Sequence, residues 1–422
     1  MQKVLIISYF FPPCNLTAAQ RSYYWAKQLK KFDYYPIIVT RNWDIEIKNQ
    51  NDINKKSGVN LKCEETKNYK AYFIPFRGGI KEKVFKSNNN KLKFFKKSLT
   101  FIELILQNFF LHTIYKEIYS KCREVLNSDE SINKVIVTAN PFICFKIGHQ
   151  LKREFKHISW IADYRDDWTT TELKVYNTFL FRIIKNLERK SEKKWLSNAS
   201  TFTTVSDYYK NKIEKFISIK GHVLLNGYAD DIKTKKHVIK KNNFIITYIG
   251  TLYDSQPIEE FISVLINIID ELKNRINIIL KFPGLAFNLH QKHRIELLMK
   301  GYENNFEISQ RLPRNEIHKI IQNSHLMLMV GHKNLKGIPS SKLYEYIGFE
   351  KQVILYPDDD DIIKSTLNDV NLGIIPKNKE ELFSILKSKI INYEVRKINA
   401  SNKIKYSRLH QTEKLSKIIN NH

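Results

Sequence analysis

The sequence predicts an α/β protein of two doubly wound parallel-sheet domains in tandem. Three observations predict it. Short unbroken apolar runs alternate with helical patterns. That alternation breaks at Asn226-Gly227-Tyr228 and the polar run Asp230–Asn243, and then restarts. A chain of 422 residues, at roughly 150 per domain, has room for more than one core.

Taken in order, Val4–Tyr9 reads as a buried strand, Ala19–Lys31 as a helix and Pro36–Thr40 as the next strand. Val135–Thr138 and Ser159–Ala162 are further strands, with Pro141–Phe155 as the helix between them. Thr201–Val205 and Val223–Leu225 complete this series. After the break, Phe244–Ile249, Ile276–Phe282, Leu326–Val330 and Val353–Tyr356 read as strands. Pro257–Lys273, Glu316–Asn323 and Lys342–Phe349 read as helices. Strands apolar throughout belong to a sheet covered on both faces. Such sheets bind ligands beyond the carboxyl ends of their strands. The loops after Tyr9, Thr138, Ala162, Ile249 and Val330 are therefore where chemistry is sought.

Composition narrows the class. A hydrophobic share of 42% excludes disorder, and 13 Gly and 11 Pro exclude collagen-like or linker-rich chains. The net charge of +27 attracts anions such as nucleotides, phospholipid or nucleic acid, or reflects a lysine-rich compositional bias; charge alone does not choose. Cys14, Cys63, Cys122 and Cys144 form no C-x-x-C and no zinc spacing, so a reducing compartment is expected. Val4–Ile7 is too short for a secretory core, so no leader is expected. Leu99 to Tyr115 carries Glu103, Gln107, Asn108 and His112, which makes it an amphipathic helix and not a span. Asp358–Asp361 reads as a helix N-cap, not a metal site, and no metal is expected.

The sharpest motif is Gly337-Ile338-Pro339-Ser340-Ser341-Lys342-Leu343-Tyr344-Glu345-Tyr346. It joins a strand to an amphipathic helix that Ser340 or Ser341 would cap. Helix N-termini favour anions, so Lys342 in the first turn points to a phosphate ligand. Glu345, three residues on, has the acceptors for a ribose diol. The structural alternative is a capped surface helix with a solvated Lys–Glu pair. Gly250-Thr251 follows another strand, where glycine permits close backbone approach. Asp163-Tyr164-Arg165-Asp166-Asp167-Trp168 gathers three carboxylates and an arginine at a strand end. That composition suits a site in which Asp163 or Asp166 orients a sugar hydroxyl or an acceptor, or else a structural Asp–Arg network. Thr17, Ala18 and Arg21 open the first helix as a second phosphate-facing loop, although it is neither a G-x-G-x-x-G fingerprint nor a P-loop. Phe85 to Tyr119 interleaves Lys86, Lys91, Lys93, Lys96 and Lys97 with Phe94, Phe95 and Leu99. That pattern suits an anionic membrane surface or single-stranded nucleic acid, or else a helix packed on the first domain.

Together these residues resemble glycosyltransferase family 4, the retaining nucleotide-sugar transferases of the GT-B fold, from residue 3 to about residue 385. The blocks that carry it are KVLIISYFFPP…AAQR, TANPF…GHQLKRE…WIADYRDDW, TTVSDYYKNKI, VLLNGYAD, YIGTLYDSQPIEEFI and GIPSSKLYEYIGFEKQVI. The second is similar to a subgroup common in bacterial surface-polysaccharide assembly (capsule, O-antigen or exopolysaccharide).

The resemblance implies two Rossmann-like domains facing across a cleft: 1–226 on the acceptor side, 227–395 binding the nucleotide sugar, and a C-terminal helix in 396–422 returning to the first domain. It implies donor contacts from Gly250, Thr251, Gln256, Ser341, Lys342, Leu343 and Glu345. Catalytic contacts are expected from Asp163, Asn140 and Lys342, and an acceptor or phosphate loop from Thr17, Ala18, Arg21, Arg165 and Asp166. It further implies retention by same-face attack, no metal and no cofactor. The expected partners are a nucleotide-sugar donor (UDP-, GDP- or similar), a glycan or polyprenyl-diphosphate-linked acceptor and an anionic membrane surface, with no nucleic acid. The expected place is cytoplasmic, peripheral on the inner face of the plasma membrane. The sequence departs from the family at Gly337, where the first of two paired glutamates belongs. It departs at Thr251 and Gln256, where many members carry Arg and Lys, and near Ala139-Asn140, where many carry His. Two other readings are a GT-B nucleotide-sugar epimerase and a non-catalytic basic protein that binds lipid or nucleic acid.

Overall fold

A computed structural model describes residues 1–78, 102, 105–107, 109–111, 113–172, 179–232, 243–393 and 399–422. The chain divides into two compact units: Met1–Leu225 with Gln411–His422, and Asn226–His410.

The first unit is built on β1 (Gln2–Ser8), β2 (Tyr34–Arg41), β3 (Lys62–Glu65), β4 (Lys70–Ile74), β5 (Lys134–Ala139), β6 (Ser159–Tyr164), β7 (Thr201–Thr204) and β8 (Gly221–Val223). Their order is β3-β4-β2-β1-β5-β6-β7-β8, and only the β3/β4 pair is antiparallel. Ile6 lies opposite Ile38 on one side and Ile136 on the other, so the β-branched runs form a buried row. Trp25 and Ala26 of helix Thr17–Gln28 pack on it, as do Leu415, Ile418 and Ile419 of helix Arg408–Asn421. Each such aliphatic side chain contributes roughly 1.5–3 kcal/mol when fully buried.

The second unit is built on β9 (Asn243–Thr247), β10 (Asn277–Pro283), β11 (Phe306–Ser309), β12 (Leu326–Met329), β13 (Val353–Leu355) and β14 (Gly373–Ile374). The order is β11-β10-β9-β12-β13-β14, parallel at every described pairing. Helix Glu259–Leu272 turns Phe261, Leu265, Ile268 and Leu272 onto the core at helical spacing.

Four strands were not foreseen. β3, β11 and β14 are edge strands of two to four residues without an unbroken apolar run, and β4 keeps Lys70 and Tyr72 half-buried. β8 sits two residues earlier than expected. Gly221 lies against the Phe202 ring so closely that a Cβ would come within 2.3 Å of it, and Leu224 and Leu225 instead turn their carbonyls to Arg21. The lysine-rich stretch 79–101 lies outside the described residues, as do 103, 104, 108 and 112 of the expected amphipathic helix. The chain beyond 396 is not one helix: Ala400–Ile404 precedes Arg408–Asn421, and the division between the units falls after His410. No described helix is long and apolar enough to cross a membrane.

Candidate active site

In each sheet the strand order reverses at one place, between β1 and β5 in the first unit and between β9 and β12 in the second. Ligands of open α/β sheets bind there, outside the carboxyl ends.

In the second unit the loops after β9 and β12 carry Gly250-Thr251 and Val330–Ser341. Gly250 has φ 78°, a left-handed conformation, and a Cβ there would meet nothing within 4 Å. Helix Ser341–Gly348 starts in extended backbone at Ser340, and neither serine makes the expected side-chain cap; the Ser340 carbonyl instead accepts from Leu343 N at 3.1 Å. Its first N–H groups have no intrahelical acceptor. The Gly337 N–H is taken by the Asp361 carboxylate, and Asp359, not Asp361, receives the Ile363 and Lys364 amides of the next helix. Asp358–Asp361 is thus spent on backbone, on Lys364 and on closing the loop.

Lys342 is turned inward. Its Nζ donates to the Thr251 carbonyl at 3.2 Å and lies 3.7 Å from the Tyr248 ring centroid. Among the described residues no carboxylate pairs with it. Burial pushes its pKa down to about 7. His332, bonded to Ser255 Oγ at 2.8 Å, is pushed down to about 4 by burial and by the Lys342 charge.

Glu345 lies on the same helix beside two arginines and a histidine. Arg408 Nη2 is 3.2 Å from Oε1, Arg314 Nη2 is 3.5 Å from Oε1, and His318 Nε2 is 3.6 Å from Oε2. Burial raises its pKa, but the His318, Arg408 and Arg314 interactions outweigh that and hold it at about 2. Oε2 is shielded from solvent and has no hydrogen-bond donor, so one acceptor of the carboxylate is left over. The sequence reading missed these three partners. Arg314 and His318 have a detectable signal, since they share one helix face at i, i+4; Arg408 has none.

Gln256 is turned into the fold. It is 3% exposed, and its amide joins the Val330 carbonyl, the Tyr248 hydroxyl and Tyr253 N. Leu343 is wholly buried in the core, so only its backbone is available.

In the first unit Asp163 is 0% exposed. It stands directly opposite Thr138 on β5 and Thr203 on β7, and both hydroxyls donate to it, at 2.8 and 2.7 Å. Arg21 completes the ring from helix Thr17–Gln28, with Nη2 2.8 Å from Oδ1, and donates to the Leu224 and Leu225 carbonyls. Asp163 and Arg21, expected on the sugar and on phosphate, form a buried pair that ties one helix to three strands. Thr17 is exposed and Ala18 half-buried at the start of that helix. Arg165 bonds the exposed Asp166 at 3.2 Å. Asn140 is exposed at the end of β5, and it lines a cavity of about 210 Å³ with Phe142, Trp168, Glu188, Ser191 and Trp195 among others. Sequence spacing gives no sign of that cavity, because its walls come from separated loops and helices.

No family model and no curated protein matches this sequence. Solved structures do match its fold over their whole length. Sucrose-phosphate synthase from Thermosynechococcus elongatus aligns at a TM-score of 0.66 and 11% identity, covering 100% of this chain and 99% of the other. An E. coli trehalose-6-phosphate structure bound with UDP-2-fluoro glucose aligns at 0.62 and 10%, covering 100% and 99%. An α,α-trehalose-phosphate synthase (UDP-forming) from Burkholderia xenovorans, in complex with glucose-6-phosphate, aligns at 0.63 and 8%, covering 99% and 100%. At such identities the likeness shows the fold: two parallel-sheet Rossmann-like domains of the GT-B kind.

Proposed function

We propose that this chain is a GT-B glycosyltransferase of family-4 type. It moves a sugar from a nucleoside-diphosphate sugar to a glycan acceptor with retention. The observation that carries the reading is Lys342, an inward-turned amine at the strand-order reversal of the second unit, with no carboxylate among the described residues to neutralise it. A diphosphate on the N-terminus of helix Ser341–Gly348 would supply that charge. The Glu345 carboxylate, on the same helix, suits a ribose hydroxyl of the same nucleotide.

In this reading the bond from the sugar to the diphosphate breaks as the acceptor hydroxyl attacks on the same face, and its proton leaves with the phosphate. The protein contributes charge: Lys342 and the helix terminus stabilise the departing diphosphate without a metal. Uridine is the first base to test, since two of the structural neighbours are described with UDP. A lipid-linked acceptor and a surface-polysaccharide role follow from the family resemblance. Exposed Ile102, Leu106 and Phe109, at helical spacing, with Phe110, support contact with the inner membrane face.

The test is a thermal-shift titration of wild type and Glu345→Ala with UDP, GDP, ADP and their sugars. One diphosphate in 100-fold excess over its Kd should stabilise wild type by about 2.7 kcal/mol. Glu345→Ala should lose most of the response. If no nucleotide shifts wild type, the transferase reading fails.

A further inference from the structure

The sheet of the first unit ends at β3, and the charges along that edge match themselves. β3 pairs with β4 on one side, and among the described residues no strand pairs with its other side. Bonded and non-bonded residue pairs alternate along an antiparallel ladder. Thr66 N donates to the Tyr69 carbonyl at 2.8 Å, which closes the turn between the two strands and sets the phase. Counting back from it, Glu64 opposite Ala71 and Lys62 opposite Phe73 are the bonded pairs. The backbone N–H and C=O groups of Cys63 and Glu65 therefore point away from β4, onto the open edge. Lys62, Cys63 and Glu65 are exposed. Val59 and Leu61, just before the strand, are 85% and 46% exposed.

An edge with unpaired backbone groups accepts another strand, and side-chain charge decides which one. An antiparallel second copy on this edge has four symmetric registers, one centred on each residue of β3. Centring on Lys62, Glu64 or Glu65 sets that charge against its own copy, which is destabilising. Centring on Cys63 sets Lys62 of each copy opposite Glu64 of the other, twice. Both side chains already lie on one face: Lys62 Nζ is 5.4 Å from the Phe73 centroid, and Glu64 accepts the Tyr69 hydroxyl at 2.9 Å. Neither has an ion-pair partner among the described residues, whereas Glu65 is held by Lys70 at 2.9 Å.

We propose that β3 is a self-association edge, on which two copies of this chain pair antiparallel about a two-fold axis through Cys63 and join their eight-stranded sheets. Val59 and Leu61 add apolar area beside the same edge. The proposal is independent of the transferase reading. A four-residue edge is small beside the roughly 800 Å² per partner of a standard interface, so the dimer is weak, with a Kd on the order of 10–100 μM. The net charge of +27 opposes it at long range, so it is measured at about 0.15 M salt, where such repulsion is screened.

Sedimentation equilibrium of the full chain, from about 1 to 200 μM, should show monomer and dimer in exchange. Lys62→Glu and Glu64→Lys each set like charges opposite, twice, and each should weaken the dimer about tenfold. Mixed together, the two variants restore unlike pairs, so the mixture should dimerise as wild type does. A merely structural disturbance would not be repaired by mixing. A short bismaleimide gives an independent readout, since Cys63 is exposed and Cys14, Cys122 and Cys144 are buried. It should couple two wild-type chains through Cys63, whose Cα atoms would lie ~5.5 Å apart in the pair. Cys63→Ser should abolish the coupling and keep the dimer. A wild type that stays monomeric throughout overturns the proposal. So does a dimer that is indifferent to both charge variants, or one that the bismaleimide does not couple at Cys63, because it then forms on another surface. Should either charge variant lose the wild-type melting temperature, wild type and Cys63→Ser still decide by coupling.

Discussion

Asp163 in the first unit and Lys342 in the second are both charged groups at the carboxyl ends of parallel sheets, and both read from sequence as site residues. Their partners differ. Asp163 takes two threonine hydroxyls and the Arg21 guanidinium, so its charge and its acceptors are satisfied inside the fold. Among the described residues Lys342 has one carbonyl and one ring face. A charge that the fold completes is scaffold. A charge that the fold leaves incomplete is held for something that arrives later, because burying it otherwise costs stability with no return.

The largest effect expected from this contrast is on Arg21. Arg21→Met should leave Asp163 as a buried carboxylate without its counter-ion and destabilise the first unit by about 3–5 kcal/mol. Chemical denaturation would measure it. If nucleotide binding disappears while stability is unchanged, Arg21 belongs to the site and the contrast is wrong.

Lys342 should respond with the opposite sign. Lys342→Met removes an amine whose charged form burial disfavours, so the nucleotide-free protein should keep or gain thermal stability. Nucleoside diphosphate affinity should fall about 10- to 150-fold, the worth of a hydrogen bond to a charged group. Calorimetric titration alongside the melting curve separates the two readouts. A variant that melts lower and still binds would make Lys342 a core residue.

The same contrast explains what was legible in the sequence. Unbroken runs such as Val4–Ile7 and Leu326–Met329 announce buried parallel strands, because a strand covered on both faces needs no polar alternation. Gly337–Tyr346 announced a loop and helix at a strand end, since turn residues act locally, although neither serine caps the helix. Completeness of pairing was not legible. That Asp163 meets Thr138 and Thr203 depends on register between strands 25 and 40 residues away. Arg408 reaches Glu345 across 63 residues of chain. Gln256, expected at the donor from the resemblance alone, is also a buried brace under Val330, which its place in the chain does not announce. Spacing in sequence reports which face a side chain takes, not whether another segment has already satisfied it.

The smallest effect, and the finest probe of the contrast, is a pH dependence. The folded pKa of Lys342 lies near 7, below its ordinary 10.5. Between those values the unfolded chain holds a proton that the folded chain has released, so stability should rise with pH across that window. Below about pH 7 the lysine is charged in both states and its penalty is complete. Nucleotide binding should run the other way. A diphosphate needs the charged amine, so its affinity should be flat below about pH 7 and fall up to tenfold per pH unit above it. In Lys342→Met both slopes should vanish. Glu345 lies outside this window, since its folded pKa near 2 confines its contribution to loss in acid as pH falls from its ordinary 4.5 through that value. Nucleotide affinity that is level from pH 6 to 9 in the wild type would mean that Lys342 does not meet the phosphate, and the helix N-terminus alone would have to carry the diphosphate.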